Sequence, residues 1–186
     1  MSAYGTVAAP VIYASATQTS VMVPYEIAGR ATTSITVVYS GVSSAPLTYN
    51  VVPSVPGIYS QNLTGTGPGA ILNQDGKTVN GPTTPAPAGS VVSVYMTGEG
   101  VTTPQAITGG VAPTNGTGLE TPVLGVTATV GGQPATVSYD GSAPGYVYGV
   151  MQVNVKIPSG LAAGVQPVVI SLGGTPTQSG LTVQVQ

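Results

Sequence analysis

Gln152-Val-Asn-Val155-Lys-Ile157-Pro158 decides the fold. Val153, Val155 and Ile157 alternate with Gln152, Asn154 and Lys156. A period of two puts the apolar set on one face of an extended strand and the polar set on the other. Pro158 lacks the N–H that a ladder needs and closes the run. The same pattern continues outward in both directions. Val168, Ile170 and Leu172 share a face before Gly173-Gly174. Leu181, Val183 and Val185 alternate with Thr182, Gln184 and Gln186, as a half-buried last strand should. Upstream, Val92, Val94 and Met96 repeat the alternation, as do Leu124, Val126, Ala128 and Val130, and Ile35, Val37 and Tyr39. Turn pairs punctuate these runs at Ser40-Gly41, Asp75-Gly76, Gly131-Gly132, Asp140-Gly141 and Gly173-Gly174. Helical periodicity is absent. Short strands at this spacing predict an all-β fold of sandwich type.

The chain also repeats itself. Gln18-Thr-Ser-Val21-Met-Val23-Pro24, Ile35-Thr-Val-Val-Tyr-Ser-Gly41 and Leu47-Thr-Tyr-Asn-Val51 precede, in the same order, Gln152 to Pro158, Val168 to Gly174 and Leu181 to Val185. Ala9-Pro-Val-Ile-Tyr13 and Gln133-Pro-Ala-Thr-Val-Ser-Tyr139 lie ahead of the two copies. This reads as two tandem immunoglobulin-like β-sandwich units, at 1–56 and 57–186, the second with a Gly/Pro-rich lead-in. The second copy has further strands at 90–96 and 123–130. The first has only eight residues before Ala9, so its sandwich lacks opening strands. Residues 57–80 can fold back to fill the gap, a neighbouring molecule can donate a strand, or the chain is cut from a larger one. Filling or truncation is the preferred reading.

Composition narrows the function. There is no Cys and no His, which excludes disulfides, thiol catalysis, Ser-His-Asp chemistry and the usual zinc sites. Three cations, Arg30, Lys77 and Lys156, give no basic patch, so nucleic acid is not an expected partner. The net charge of -2 leaves little self-repulsion to oppose association. No phosphate-cradling loop is present, and no apolar run is long enough to span a membrane. The opening Met1-Ser2-Ala3-Tyr4-Gly5 lacks the charged and apolar regions of a signal peptide, so the expectation is a trimmed secreted chain or an excerpt of one.

Further stretches carry a family likeness. Pro24-Tyr-Glu-Ile-Ala-Gly29, Ala70-Ile-Leu-Asn-Gln-Asp-Gly76, Tyr95-Met-Thr-Gly-Glu-Gly100, Ala143-Pro-Gly145, Gln152-Val-Asn-Val155 and the closing Gly180-Leu-Thr-Val-Gln-Val185 occur in order. Together they resemble the Solibacter-type C-terminal domain family of large secreted acidobacterial proteins. The resemblance implies tandem IPT/TIG-like, immunoglobulin-like units and an extracellular or cell-surface location. It implies no activity and no catalytic residues. The sequence departs from the family at Met1 to Ala8, where upstream strands would be.

Few side chains are candidates for a site. Asn73 and Asp75, before Gly76, suggest an oxygen-rich calcium loop, but the acidic count is short, and an Asx turn accounts for them. Tyr139, Tyr146 and Tyr148 flank Ala143-Pro-Gly145 and can form a sugar-stacking platform, or close the end of a sandwich. The five acids, Glu26, Asp75, Glu99, Glu120 and Asp140, sit by Gly, Pro or turn residues and read as solvated loop acids rather than a catalytic pair. Lys156 points away from the Val153 face, which argues against a buried isopeptide bond. No cofactor is expected. The reading is a non-enzymatic extracellular structural or interaction module. It self-associates, into a fibre or surface layer, through edge strands, or is held to other domains of a surface protein. The alternative is a carbohydrate-binding module.

Overall fold

A computed structural model describes residues 5–186; Met1 to Tyr4, part of the opening read for a signal peptide, lie outside the described residues. The chain is all-β, with one turn of 3-10 helix at Tyr25–Ile27. Residues 57–186 form one sandwich-like body. Val91–Thr97, Met151–Lys156 and Gln133–Ser142 are antiparallel neighbours, and Val126–Val130, Gly164–Leu172 and Leu181–Val185 follow. Two long strands bend the sheet around its core. Gln133–Ser142 pairs with Val126–Val130 at one end and with Met151–Lys156 at the other, with a bulge between Val137 and Tyr139. Gly164–Leu172 pairs with Val126–Val130 through its second half and with Leu181–Val185 through its first. The inward set is the one that alternation selects. Val92, Val94, Met96, Val153, Val155, Ile157, Ile170 and Leu181 join one cluster and are nearly or wholly inaccessible. Lys156 is exposed on the opposite face. Burying each such side chain stabilises the body by about 1.5–3 kcal/mol.

Both edges of this body are covered. On one, Gly57–Ile58 and Ile71–Leu72 pair with Val91–Thr97. The side chain of Gln178 completes the job: its Oε1 accepts from the Ile58 N–H at 3.0 Å and its Nε2 donates to the Ile58 carbonyl at 2.6 Å. On the other, Gly67–Pro68 runs parallel to Leu181–Val185. Ala86 donates to the Gln184 carbonyl and accepts from the Gln186 N–H, so the Pro-rich connector is a short edge partner. Asn80, 3% exposed, does for Gln184 what Gln178 does for Ile58, with Nδ2 to the carbonyl at 2.9 Å and Oδ1 to the N–H at 2.7 Å. Residues 57–80 therefore pack on the second unit. This corrects the expectation that they fill the first, and the reason is that strand edges at Val91–Thr97 and Leu181–Val185 need them.

Residues 5–56 are built differently. Val11–Ala14 pairs only with Thr19–Val21, Thr32–Ile35 only with Leu47–Asn50, and Val38–Tyr39 only with Val42–Ser43. This pairing copies the second unit. There, Gln133–Ser142 precedes Met151–Lys156 as a hairpin, and Gly164–Leu172 pairs with Thr175–Pro176 and then Leu181–Val185. Among the described residues nothing stands where Val126–Val130 and Val91–Thr97 stand in the second unit. Between Gly5 and Val55 only Met22, Pro24 and Ser54 are buried. Ile35, Val37 and Tyr39, expected on a core face, are 49%, 54% and 81% exposed.

Asn80→Ala removes both hydrogen bonds to Gln184 and strands Asn73 Oδ1, which Asn80 also serves at 3.0 Å. A destabilisation of about 1–3 kcal/mol is expected, because the backbone groups left behind are buried. Thermal unfolding followed by circular dichroism measures it.

Candidate functional site

The two parts of the chain meet at Glu99. The Val91–Thr97 strand ends in Gly98-Glu99-Gly100, and both glycines have left-handed φ, 84° and 73°. A Cβ on Gly98 would strike the Val55 carbonyl, and one on Gly100 the Pro53 carbonyl. Only glycine lets residues 53–56 pass this close. Ser54 fixes the passage by donating to the Gly98 carbonyl at 2.5 Å. Glu99 is turned inward and is 2% exposed. Its Oε1 accepts from the Tyr25 hydroxyl at 2.5 Å and from the Gly149 N–H at 3.2 Å. Nearby, the Tyr148 hydroxyl donates to Glu120 Oε1 at 2.7 Å. The second oxygen of each carboxyl is buried without a hydrogen-bond partner.

Burial raises the Glu99 carboxyl above its ordinary value despite its hydrogen bonds, and the Glu120 charge adds to this. Tyr25 is held far above its ordinary value by burial first and by its bond to Glu99 second. Tyr148 is pushed up to about 12, chiefly by its bond to Glu120. These tyrosines stay neutral donors at any physiological pH. Outside the pair, Thr108 accepts from the Tyr25 N–H and donates to Glu26 Oε2, which holds Glu26 below its ordinary value. Met22 packs with Ala106, Ala112 and Tyr148. Met22, Tyr25 and several polar bonds thus help attach residues 11–55 to the body.

Beside this attachment lies a cavity of about 720 Å³. Ile12, Val21, Val23, Val52, Val55, Val101, Val123 and Leu124 line it, with Glu99 and Arg30 as its charged groups. A second, shallower recess of about 400 Å³ is walled by Tyr59, Tyr95 and Tyr146 over Ile71, Val79 and Val150. The rings of Tyr95 and Tyr146 lie 5.8 Å apart and are tilted by 48°.

The sequence-predicted site residues fare unequally. Asp75 Oδ1 accepts from the N–H groups of Lys77 and Thr78, and Oδ2 accepts from the Thr78 hydroxyl, which lowers its pKa to about 2. Asn73 Nδ2 donates to the Thr84 carbonyl. Asp75 is occupied in an Asx turn and Asn73 is held by Thr84 and Asn80, and no group of three or more acidic residues that could hold a metal occurs among the described residues. Tyr139, Tyr146 and Tyr148 do not form a row: Tyr148 is buried on Glu120, Tyr139 donates to the Ser142 carbonyl at 2.7 Å, and Tyr146 alone is well exposed. Tyr146 instead joins Tyr59 and Tyr95, which sequence reading passed over because they lie far apart in the chain. Solvated loop acids describe Glu26 and Asp75, but not Glu99 and Glu120, which are buried, nor Asp140, which is half-buried in the Gln133–Ser142 strand; this corrects the expectation for those three. The Gly-Glu-Gly triplet was the available signal, since paired left-handed glycines can aim the acid between them inward.

No family model, no curated protein and no solved structure matches this chain.

Because the docked state raises the Glu99 pKa above its ordinary 4.5, it binds that proton more tightly than the undocked state. The stabilisation is full below 4.5 and is lost as pH rises through the docked value. Urea midpoints measured from about pH 4 to pH 8 should therefore fall with rising pH in the native chain and fall less in Glu99→Gln. Tyr25→Phe leaves the carboxyl short of a donor and should loosen residues 11–55 by about 1–3 kcal/mol, read as faster chymotryptic cleavage at Tyr39 and Tyr49.

Proposed function

We propose that the chain is a non-enzymatic structural and interaction module of a secreted or surface protein, and that it associates with copies of itself through residues 11–55. The observation that carries this is the exposure of that segment. Tyr39, Val42 and Val38, in strands with one hydrogen-bonded neighbour each, are 81%, 72% and 64% exposed, and Val55 and Val23, outside strands, are 68% and 66% exposed. Ordering a residue costs about 1–2 kcal/mol of backbone entropy. The contacts that hold residues 11–55 to the body, among them those of Met22, Pro24, Tyr25, Glu26 and Ser54, are concentrated near its ends, and burial of the exposed face would add to them. A contiguous apolar surface of this kind marks an interaction site. The hairpins at 11–21 and 32–50 contain no charged residue, so nothing in them repels a second copy. The immunoglobulin-like reading of both units and the Solibacter-type likeness favour an extracellular setting. The buried acids do not favour hydrolysis. Each has one oxygen held by a tyrosine, and only Glu99 reaches the cavity wall, whereas a glycosidase needs two carboxylates facing across an open cleft.

Light scattering and sedimentation over a range of concentrations test this reading. Species larger than a monomer are expected and should disappear when residues 1–52 are deleted; a monomer at every concentration would refute it. A second reading rests on the Tyr59, Tyr95 and Tyr146 recess, whose apolar floor and tilted rings suit the face of a sugar. It predicts glycan-array binding that Tyr146→Ala weakens about tenfold or more; an array without hits removes it.

A further inference from the structure

The internal repeat tells which strands the first unit lacks, and the large cavity lies at one of those places. In the second unit Met151–Lys156 has two neighbours, Gln133–Ser142 and Val91–Thr97. Its counterpart Thr19–Val21 has only the first, Val11–Ala14. The Met22 N–H bonds to the Pro10 carbonyl on the paired side. The N–H of Val21, alternating with it, points to the unpaired side. The apolar cavity is lined by the same Val21, Met22 and Val23. An open ladder edge and an empty apolar volume thus coincide where the complete unit places Val92, Val94 and Met96.

We infer that this edge and cavity form an acceptor groove for a β-strand, and that the strand comes from residues 32–50 of a second copy. The inference deepens the self-association reading and rests on it. Among the described residues, the strands of the main sheet in 57–186 are committed to one another, and its edges are capped at Ile58 by Gln178 and at Gln184 by Asn80 and the Pro-rich connector. The hairpin at 32–50 is an element of the first unit, separate from the groove, whose outer edges are unpaired. Thr32–Ile35 and Leu47–Asn50 pair only with each other, carry no charge, and expose Ile35 and Leu47 by 49% and 61%. Groove and donor are different surfaces of one molecule. The contact is therefore head-to-tail, and it propagates into a ring or an open fibre instead of stopping at a dimer.

Two exposed substitutions separate the surfaces. Val23→Lys places a charge at the groove and leaves the donor hairpin; Leu47→Lys does the reverse. Each alone should raise the half-assembly concentration about tenfold or more, with an unchanged thermal transition for the body. Mixed in equal amounts, they should form heterodimers and nothing larger, because one productive contact remains. Val21→Lys with Tyr39→Lys gives an independent pair should either first variant misfold. Wild-type assembly surviving in Val23→Lys overturns the groove and would mean that the cavity takes another occupant, such as a small apolar molecule. A mixture that stays monomeric overturns the head-to-tail pairing and points to a symmetric contact. A wild-type chain that never associates removes the self-association reading itself, so the failures are distinguishable.

Discussion

A β-strand carries hydrogen-bonding groups on both sides, and each side must be satisfied. That obligation organises the molecule. In the second unit it is met by any means at hand: a neighbouring strand, a parallel dipeptide at Gly67–Pro68, a Pro-rich connector, or an amide side chain. Asn80 and Gln178 each present a donor and an acceptor to one backbone residue, imitating a strand with a single side chain. With the edges closed, the inward valines and isoleucines lose water completely and the body is stable by burial.

The first unit shows the consequence of leaving the obligation unmet. It has the hairpins of its sister in the same order, but not the strands that join and flank them. Without those strands an alternating apolar pattern has no second layer to face, and Ile35, Val37 and Tyr39 stay in water. Its hold on the body is correspondingly narrow. The Gly98-Glu99-Gly100 turn accepts the passing backbone, and a buried carboxyl takes the Tyr25 hydroxyl. A charge buried at such a joint is costly unless paired or protonated. The joint is thus sensitive to pH in a way that the valine core is not.

Much of the architecture was legible along the chain. The Val153, Val155 and Ile157 face, the outward Lys156 and the final strand follow from alternation alone, because a period of two leaves no freedom once one face is buried. The hairpin strands near 11–21 and 32–50 were legible for the same reason. The candidate site was not. Glu99 and Glu120 lie among turn residues in sequence, and only the close passage of residues 53–56 over two left-handed glycines turns Glu99 away from solvent. The tyrosine recess joins residues 59, 95 and 146, which no local pattern connects.

By itself, then, the sequence determined the class of fold, the strand faces and the poverty of reactive groups, since these depend on composition and on neighbours two residues apart. The tertiary structure decided where residues 57–80 go, which acids are buried and which edges stay open. Those outcomes depend on contacts between segments distant in the chain, where satisfying a backbone edge in one place determines what is left for another.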